Sequence, residues 1–146
     1  LNREDAVKDL LGAVAHLRGL KEVRGDRIGV TGFCMGGSYA LLLPCRSKDI
    51  RAAAPYYGEI PDEATLKNLA CPILYIYGDA DFWITKDEVK RLEATLKKLN
   101  KHGEVKIYPG APHGFFNDTR KDVHRPTEAQ DAWRRTLDLF AKHLKG

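Results

Sequence analysis

Four short apolar runs, each set off from the next by a stretch of helical periodicity, constrain this chain more than any other feature of its sequence. They are RIGVT (Arg27 to Thr31), RAAAPYY (51 to 57), CPILYIY (71 to 77) and EVKIYPG from Glu104. The third is apolar throughout, as strands buried on both faces of a parallel sheet are. The fourth alternates polar and apolar, the pattern of a half-exposed strand. Pro55 lacks an amide hydrogen and is expected near the end of its strand. Ahead of the first run, Val7, Leu10, Leu11, Val14 and Leu17 mark an amphipathic helix over 5 to 17. Met35 to Leu43 reads as a helix stopped by Pro44, and a short helix is expected from about Asp62 to Leu69. Thr85 and Glu88 form a capping box before the stripe Val89, Leu92, Leu96, Leu99. Pro126 opens a last helix, with Ala129, Trp133, Leu137, Phe140 and Leu144 on one face. The order α-β-α-β-α-β-α-β-α predicts an α/β fold with roughly four parallel strands and helices on both faces.

A chain of 146 residues has room for one such domain, read here as residues 1–146. With 43% hydrophobic and 30% charged residues it has the balance of a soluble globular protein, and no apolar run approaches a bilayer span. The opening LNREDAVKDL has no signal-peptide pattern, so a cytoplasmic location is expected. The net charge of +4 is spread over mixed-charge helices such as KDEVKRLEATLKKLNK, which argues against a nucleic-acid partner. Cys34, Cys45 and Cys71 are odd in number and without paired spacing, which suggests neither a disulfide framework nor a CxxC metal site. His16, His102, His124 and His143 have no partners at metal spacing and are expected at the surface; no metal site is expected.

In an open parallel sheet, reactive groups gather in the loops beyond the carboxyl ends of the strands. Three such loops here carry GFCMGG, GDAD and GAPHGF, and with them Cys34, Asp81 and His113. Nucleophile, acid and base in that chain order fit the nucleophile elbow of the α/β-hydrolase architecture. The thiolate attacks, the imidazole accepts and returns the proton, and the carboxylate fixes the imidazole's tautomer. Gly32 and Gly36 are expected to supply the room that a sharp strand-to-helix turn requires. The helix N-terminus behind Cys34 favours the thiolate. Alone, Cys34 would fit a small buried hydrophobe as well; the three loops together point to catalysis.

GFCMGG, YGDADFWI, YPGAPHGFFNDTR and the closing DAWRRTLDLFAKHL resemble the dienelactone hydrolase family, also called carboxymethylenebutenolidases, over essentially the whole chain. The resemblance implies a cofactor-free hydrolase that attacks esters or lactones through a cysteine thiol, with Cys34 as nucleophile and His113 as base. The family's Gly with an Asp three residues later selects Gly78 and Asp81; Asp79 is the rival acid. It also implies that the amide of Met35 is one oxyanion donor and that a loop after an earlier strand gives a second. The strands that precede the elbow in the family have no counterpart here, so a shortened fold is expected. Its elbow strand would lie at an edge, covered by a second copy in a homodimer or by the first helix. The family's arginine four residues after the histidine is replaced by Asn117, with Arg120 nearby. Short-chain esters are therefore favoured over the anionic dienelactone. Trp83 and Phe115 flank the triad and are expected to line the substrate pocket. Tyr56, Tyr57 and Phe82 are expected in the core, and Ser38 in packing or capping.

The reading that results is a carboxylesterase working through an acyl-thioester on a Cys34–His113–Asp81 triad. A dienelactone or other lactone hydrolase is the nearest alternative. A hydrolase-like module without turnover is an alternative of another kind, motivated by the missing oxyanion loop.

Overall fold

In the computed structural model, which describes residues 2–146, the most apolar run of the sequence becomes β3 (Ile73–Gly78), buried at every position. It is an inner strand of a four-stranded sheet in the order β1 (Ile28–Phe33), β2 (Ile50–Tyr56), β3 and β4 (Gly103–Tyr108). Every neighbouring pair is parallel. Parallel strands require crossover connections, and α2 (Met35–Arg46), α3 (Glu63–Leu66) and α4 (Lys86–Lys98) provide them. α1 (Arg3–Gly19) precedes the sheet and α5 (Pro126–Leu144) follows it.

Alternation along β3 divides the core in two. Ile73, Tyr75 and Tyr77 pack with Val14 of α1, Leu41 of α2, Leu66 of α3 and Leu92 of α4. Leu74 and Ile76 point the other way, toward Ala132, Leu139 and Phe140 of α5. Helices thus cover both faces, as the alternation of elements predicts. The sheet order follows the chain order, so β1, the strand that leads into Cys34, has a single strand neighbour.

Local signals hold where their chemistry is local. Glu88 N donates to Thr85 Oγ1 at 3.2 Å and Thr85 N donates to Glu88 Oε2 at 2.8 Å, closing the capping box at the start of α4. Pro55 is next to last in β2, and Pro126 is the first residue of α5. Several boundaries differ from expectation: α1 is longer than 5 to 17, α3 ends at Leu66 rather than Leu69, and two more lie beside the turn at Cys34 or in the helix after it. α2 is not stopped by Pro44 but continues to Arg46. A proline forfeits the bond to the carbonyl four residues earlier; in the last turn that is one bond, and the helix ends two residues later with Ser47 N on Leu43 O at 3.0 Å. β1 runs on to Phe33, two residues beyond Thr31, which carries the strand to the edge of the turn.

Candidate active site

β1 gives way to α2 at Cys34, whose φ of 57° and ψ of −119° lie in a region that residues with a side chain rarely occupy. Such a conformation costs about 1–3 kcal/mol and persists only where its surroundings over-determine it. Here Cys34 N donates to Tyr56 O and Ser38 N donates to Cys34 O, each at 3.1 Å. Ser38 Oγ accepts from Glu59 N at 2.8 Å and so ties the first turn of α2 to the chain beyond β2. The steric demand of the turn is distributed differently from expectation. A Cβ on Gly32 would meet Gly36 O at 2.2 Å, and one on Gly37 would meet Tyr56 O at 2.2 Å. At Gly36 an added Cβ would meet nothing within 4 Å. Gly32 makes room for the backbone of Gly36, and it is Gly37 that lets α2 approach β2.

The structure brings together the three loops that carry Cys34, Asp81 and His113. His113 Nε2 lies 3.1 Å from Cys34 Sγ, and His113 Nδ1 lies 2.7 Å from Asp81 Oδ2. The other oxygen of Asp81 accepts from Trp83 N at 2.7 Å and Ile84 N at 2.9 Å, so one carboxylate fixes both its own loop and the imidazole. The Asp81 side chain is 0% exposed and that of His113 11%. Asp79, the rival acid, is engaged elsewhere: it accepts from Gly110 N at 2.6 Å and pairs with Lys86 at 3.3 Å. Burial pulls the pKa of His113 down, but hydrogen bonds to Asp81 and Cys34, with their charge, outweigh it and leave it above the ordinary histidine value. Three rings stand edge-on to the imidazole, Tyr57 at 4.9 Å, Phe82 at 5.3 Å and Trp83 at 5.4 Å between centroids. Such an arrangement can polarise a thiol and relay its proton, with the imidazole shielded and the thiol open to solvent.

Met35 is the first residue of α2, where backbone amides have no intrahelical acceptor. Two clefts lie at the elbow, one lined by Cys34 itself and one by its neighbour Met35. One of about 480 Å³ is lined by Phe33, Tyr57, His113, Phe116, Asn117 and Val123, with Asp118 and Arg120 also on its walls. The other, of about 350 Å³, lies beside Met35 and includes Trp83. Phe115 does not line a cleft: it is 0% exposed and packs on Tyr57 and Tyr108. Gly114, at φ 78°, turns the chain between His113 and Phe115, and the aromatic on the cleft wall is the next residue, Phe116. Tyr57 belongs to both worlds, since it is 2% exposed in the core yet its ring meets His113. Phe82, expected in the core, is 87% exposed. Sequence reasoning gave no role to Phe33 and Phe116. The usable signal was adjacency, because Phe33 immediately precedes the nucleophile and stacks on Phe116 at 4.8 Å.

Asn117, in the position of the family arginine, accepts from Thr119 N and Oγ1, and Arg120 donates to Asp122 at 2.6 Å. Among the described residues no three His, Cys, Asp or Glu side chains converge as a metal site, and no helix is long and apolar enough to cross a membrane. His124 Nδ1 donates to Phe115 O at 3.2 Å, while His16 and His102 are exposed and His143 is half-buried.

The family model described as the dienelactone hydrolase family matches residues 1–144. A Bradyrhizobium protein named as a probable 2-oxo-3-(5-oxofuran-2-ylidene)propanoate lactonase is 35% identical over 157 aligned positions, covering 100% of this chain and 62% of its own. A protein of Aquifex aeolicus, named as a candidate carboxymethylenebutenolidase, is 32% identical across 82% of this chain and 52% of its own. The crystal structure of a candidate dienelactone hydrolase from Klebsiella pneumoniae superposes with a TM-score of 0.87 at 27% identity, over 94% of this chain and 60% of that one. The chain therefore spans less than two thirds of the length of these relatives.

Proposed function

The chain belongs to the dienelactone hydrolase family, and from that premise we propose that it hydrolyses small, short-chain carboxylic esters with Cys34 as nucleophile. The observation that carries the reading is the continuous contact from Cys34 Sγ through both nitrogens of His113 to Asp81, at 3.1 and 2.7 Å.

In the first half-reaction, Cys34 Sγ bonds to the acyl carbon while its proton passes to His113 Nε2. The carbonyl electron pair moves onto oxygen, which the Met35 amide receives. One such donor is worth roughly 10²–10³ in rate. Collapse of this intermediate breaks the bond to the alcohol oxygen, and Nε2 returns the proton to that oxygen. In the second half, water gives its proton to Nε2 and adds to the thioester; the C–S bond breaks and sulfur recovers the proton. Asp81 holds the imidazole with its other nitrogen protonated throughout.

A lactone would follow the same steps with the ring oxygen as leaving group, and the name of the Bradyrhizobium relative supports that second reading. Charge favours the neutral ester: the larger cleft has one arginine, Arg120, balanced by Asp118 and Asp122. The decisive assay follows turnover of p-nitrophenyl acetate, p-nitrophenyl butyrate and dienelactone by the protein and by Cys34→Ala and His113→Ala. Loss in both variants is expected. Unchanged turnover in both overturns the mechanism, and no turnover by any of the three proteins favours the inactive module.

A second copy is the proposed cover for the free edge of β1, because an unpaired apolar edge strand invites strand addition. Small-angle scattering at dimer mass supports this pairing, and monomer mass contradicts it. The cytoplasmic reading rests on three unpaired thiols and the composition described above.

A further inference from the structure

The two clefts at the elbow differ in a respect that bears on chemistry: Cys34 and His113 line the larger, whereas the smaller reaches the elbow at Met35, the residue after the nucleophile. Building on the ester-hydrolase reading, we propose that the substrate is divided between them. The leaving alcohol occupies the larger cleft, the acyl chain the smaller, and Tyr39 sets the length of acyl chain that fits.

The division follows from what a tetrahedral carbon on Sγ must satisfy. Its oxyanion goes to the Met35 amide. Its leaving oxygen must come within hydrogen-bond reach of His113 Nε2, the group that carries the proton. Nε2 already lies 3.1 Å from Sγ, so the leaving group extends along the cleft that His113 lines. The remaining substituent, the alkyl group of the acyl chain, is directed to the Met35 side of the elbow, where the 350 Å³ cleft begins.

The smaller cleft has the form of a channel for an alkyl chain. Met35, Tyr39 and Leu42 all line it, and at spacings of four and seven residues they form one stripe of α2. At 1.5 Å per residue the stripe runs about 10 Å from the mouth to Leu42, with Tyr39 about 6 Å along it. Pro61 and Trp83, from outside α2, line it as well. Arg3, Ser38 and Glu59 also line it, and their polar groups are paired: Ser38 Oγ accepts from Glu59 N, and the Glu59 carboxylate pairs with Arg3. Leu42 is 8% exposed and belongs to the core, whereas Tyr39 is half-buried on the helix surface. Tyr39 is therefore the first side chain beyond Met35 along the stripe to meet a growing acyl chain. The larger cleft, with Asn117, Asp118 and Arg120 on its walls, tolerates a polar alcohol.

The test uses two ester series. One holds p-nitrophenol constant and varies the acyl group from acetate through butyrate to octanoate. The other holds acetate constant and varies the alcohol from methanol through butanol to benzyl alcohol. Tyr39→Ala is expected to raise the octanoate-to-acetate ratio of kcat/KM about tenfold and to leave the alcohol series unchanged. Val123→Phe, in the larger cleft, is expected to depress the benzyl ester relative to the methyl ester and to leave the acyl series unchanged. Should Tyr39→Ala not fold, Tyr39→Trp is expected to move the acyl ratio the other way. Exchange of the two effects, or no change in either series, overturns the division. Cys34→Ala separates this failure from failure of the underlying reading: undiminished turnover in that variant removes the nucleophile itself, whereas lost turnover with exchanged effects removes only the assignment of the clefts.

Discussion

His113 Nε2 stands 3.1 Å from Cys34 Sγ although 79 residues separate the two in sequence. The contact depends on one backbone device and one side-chain device at once. The left-handed φ of Cys34 lifts the thiol out of the elbow, and Asp81 holds the far side of the imidazole at 2.7 Å.

Asp81→Asn keeps the size of the side chain and its bonds to Trp83 N and Ile84 N but presents an amide to His113 Nδ1. Loss of the correct tautomer is expected to lower kcat about 10³–10⁴-fold, with far-UV circular dichroism unchanged. Asp79→Asn, whose carboxylate bonds Gly110 N and Lys86 rather than His113, is expected to leave kcat within a few-fold. Steady-state kinetics on both variants measures the contrast.

The raised pKa of His113 also makes stability depend on pH. Above the unfolded value of 6.5 and up to the higher folded value, the native state binds more protons than the unfolded one. Stability from this group is complete below the unfolded value and is lost as pH rises through the folded value. Urea midpoints for the protein and His113→Gln are expected to converge as pH rises across that window. A gap that stays constant contradicts the sign.

Thiol chemistry should single out one cysteine of three. Cys34 is exposed, whereas burial pushes the thiols of Cys45 and Cys71 up to about 11 and about 12. Iodoacetamide near neutral pH is expected to label one thiol in the native protein, none in Cys34→Ala, and all three once the protein is denatured. Intact-mass spectrometry counts the adducts.

The elbow glycines offer a stability contrast between adjacent positions. Gly37→Ala drives a Cβ to 2.2 Å from the carbonyl oxygen of Tyr56, a backbone atom that cannot swing aside. It is expected to cost about 3 kcal/mol or more, on the scale of overpacked cores. Gly36→Ala meets nothing within 4 Å and lies in the first turn of a helix. It is expected to stabilise by about 0.5–1 kcal/mol, through a less mobile unfolded chain. Urea denaturation of the two variants reads both values.

The sequence made legible those features whose cause lies within a few residues or in a regular period. The buried run at 71–77, the capping box of Thr85 and Glu88, and the placement of Cys34, Asp81 and His113 after the first, third and fourth strands all follow from such patterns. What sequence reading missed depends on packing between distant segments. Gly37 is needed because α2 meets the carbonyl of Tyr56, a contact absent from any window around GFCMGG. Phe115 and Phe116 are chemically equal neighbours, and only the turn at Gly114 decides which faces the core and which the cleft. The three rings around His113 come from two different strand ends, Tyr57 after β2 and Phe82 and Trp83 after β3, so no local pattern announces them.

The central claim is that Cys34 carries the acyl group, and acid quenching of the protein during turnover of p-nitrophenyl acetate tests it most directly. Mass spectrometry of the quenched protein is expected to find an acetyl group on the peptide that contains Cys34, released by hydroxylamine as thioesters are and absent from Cys34→Ala. Steady turnover with no such adduct, undiminished in Cys34→Ala, would contradict it.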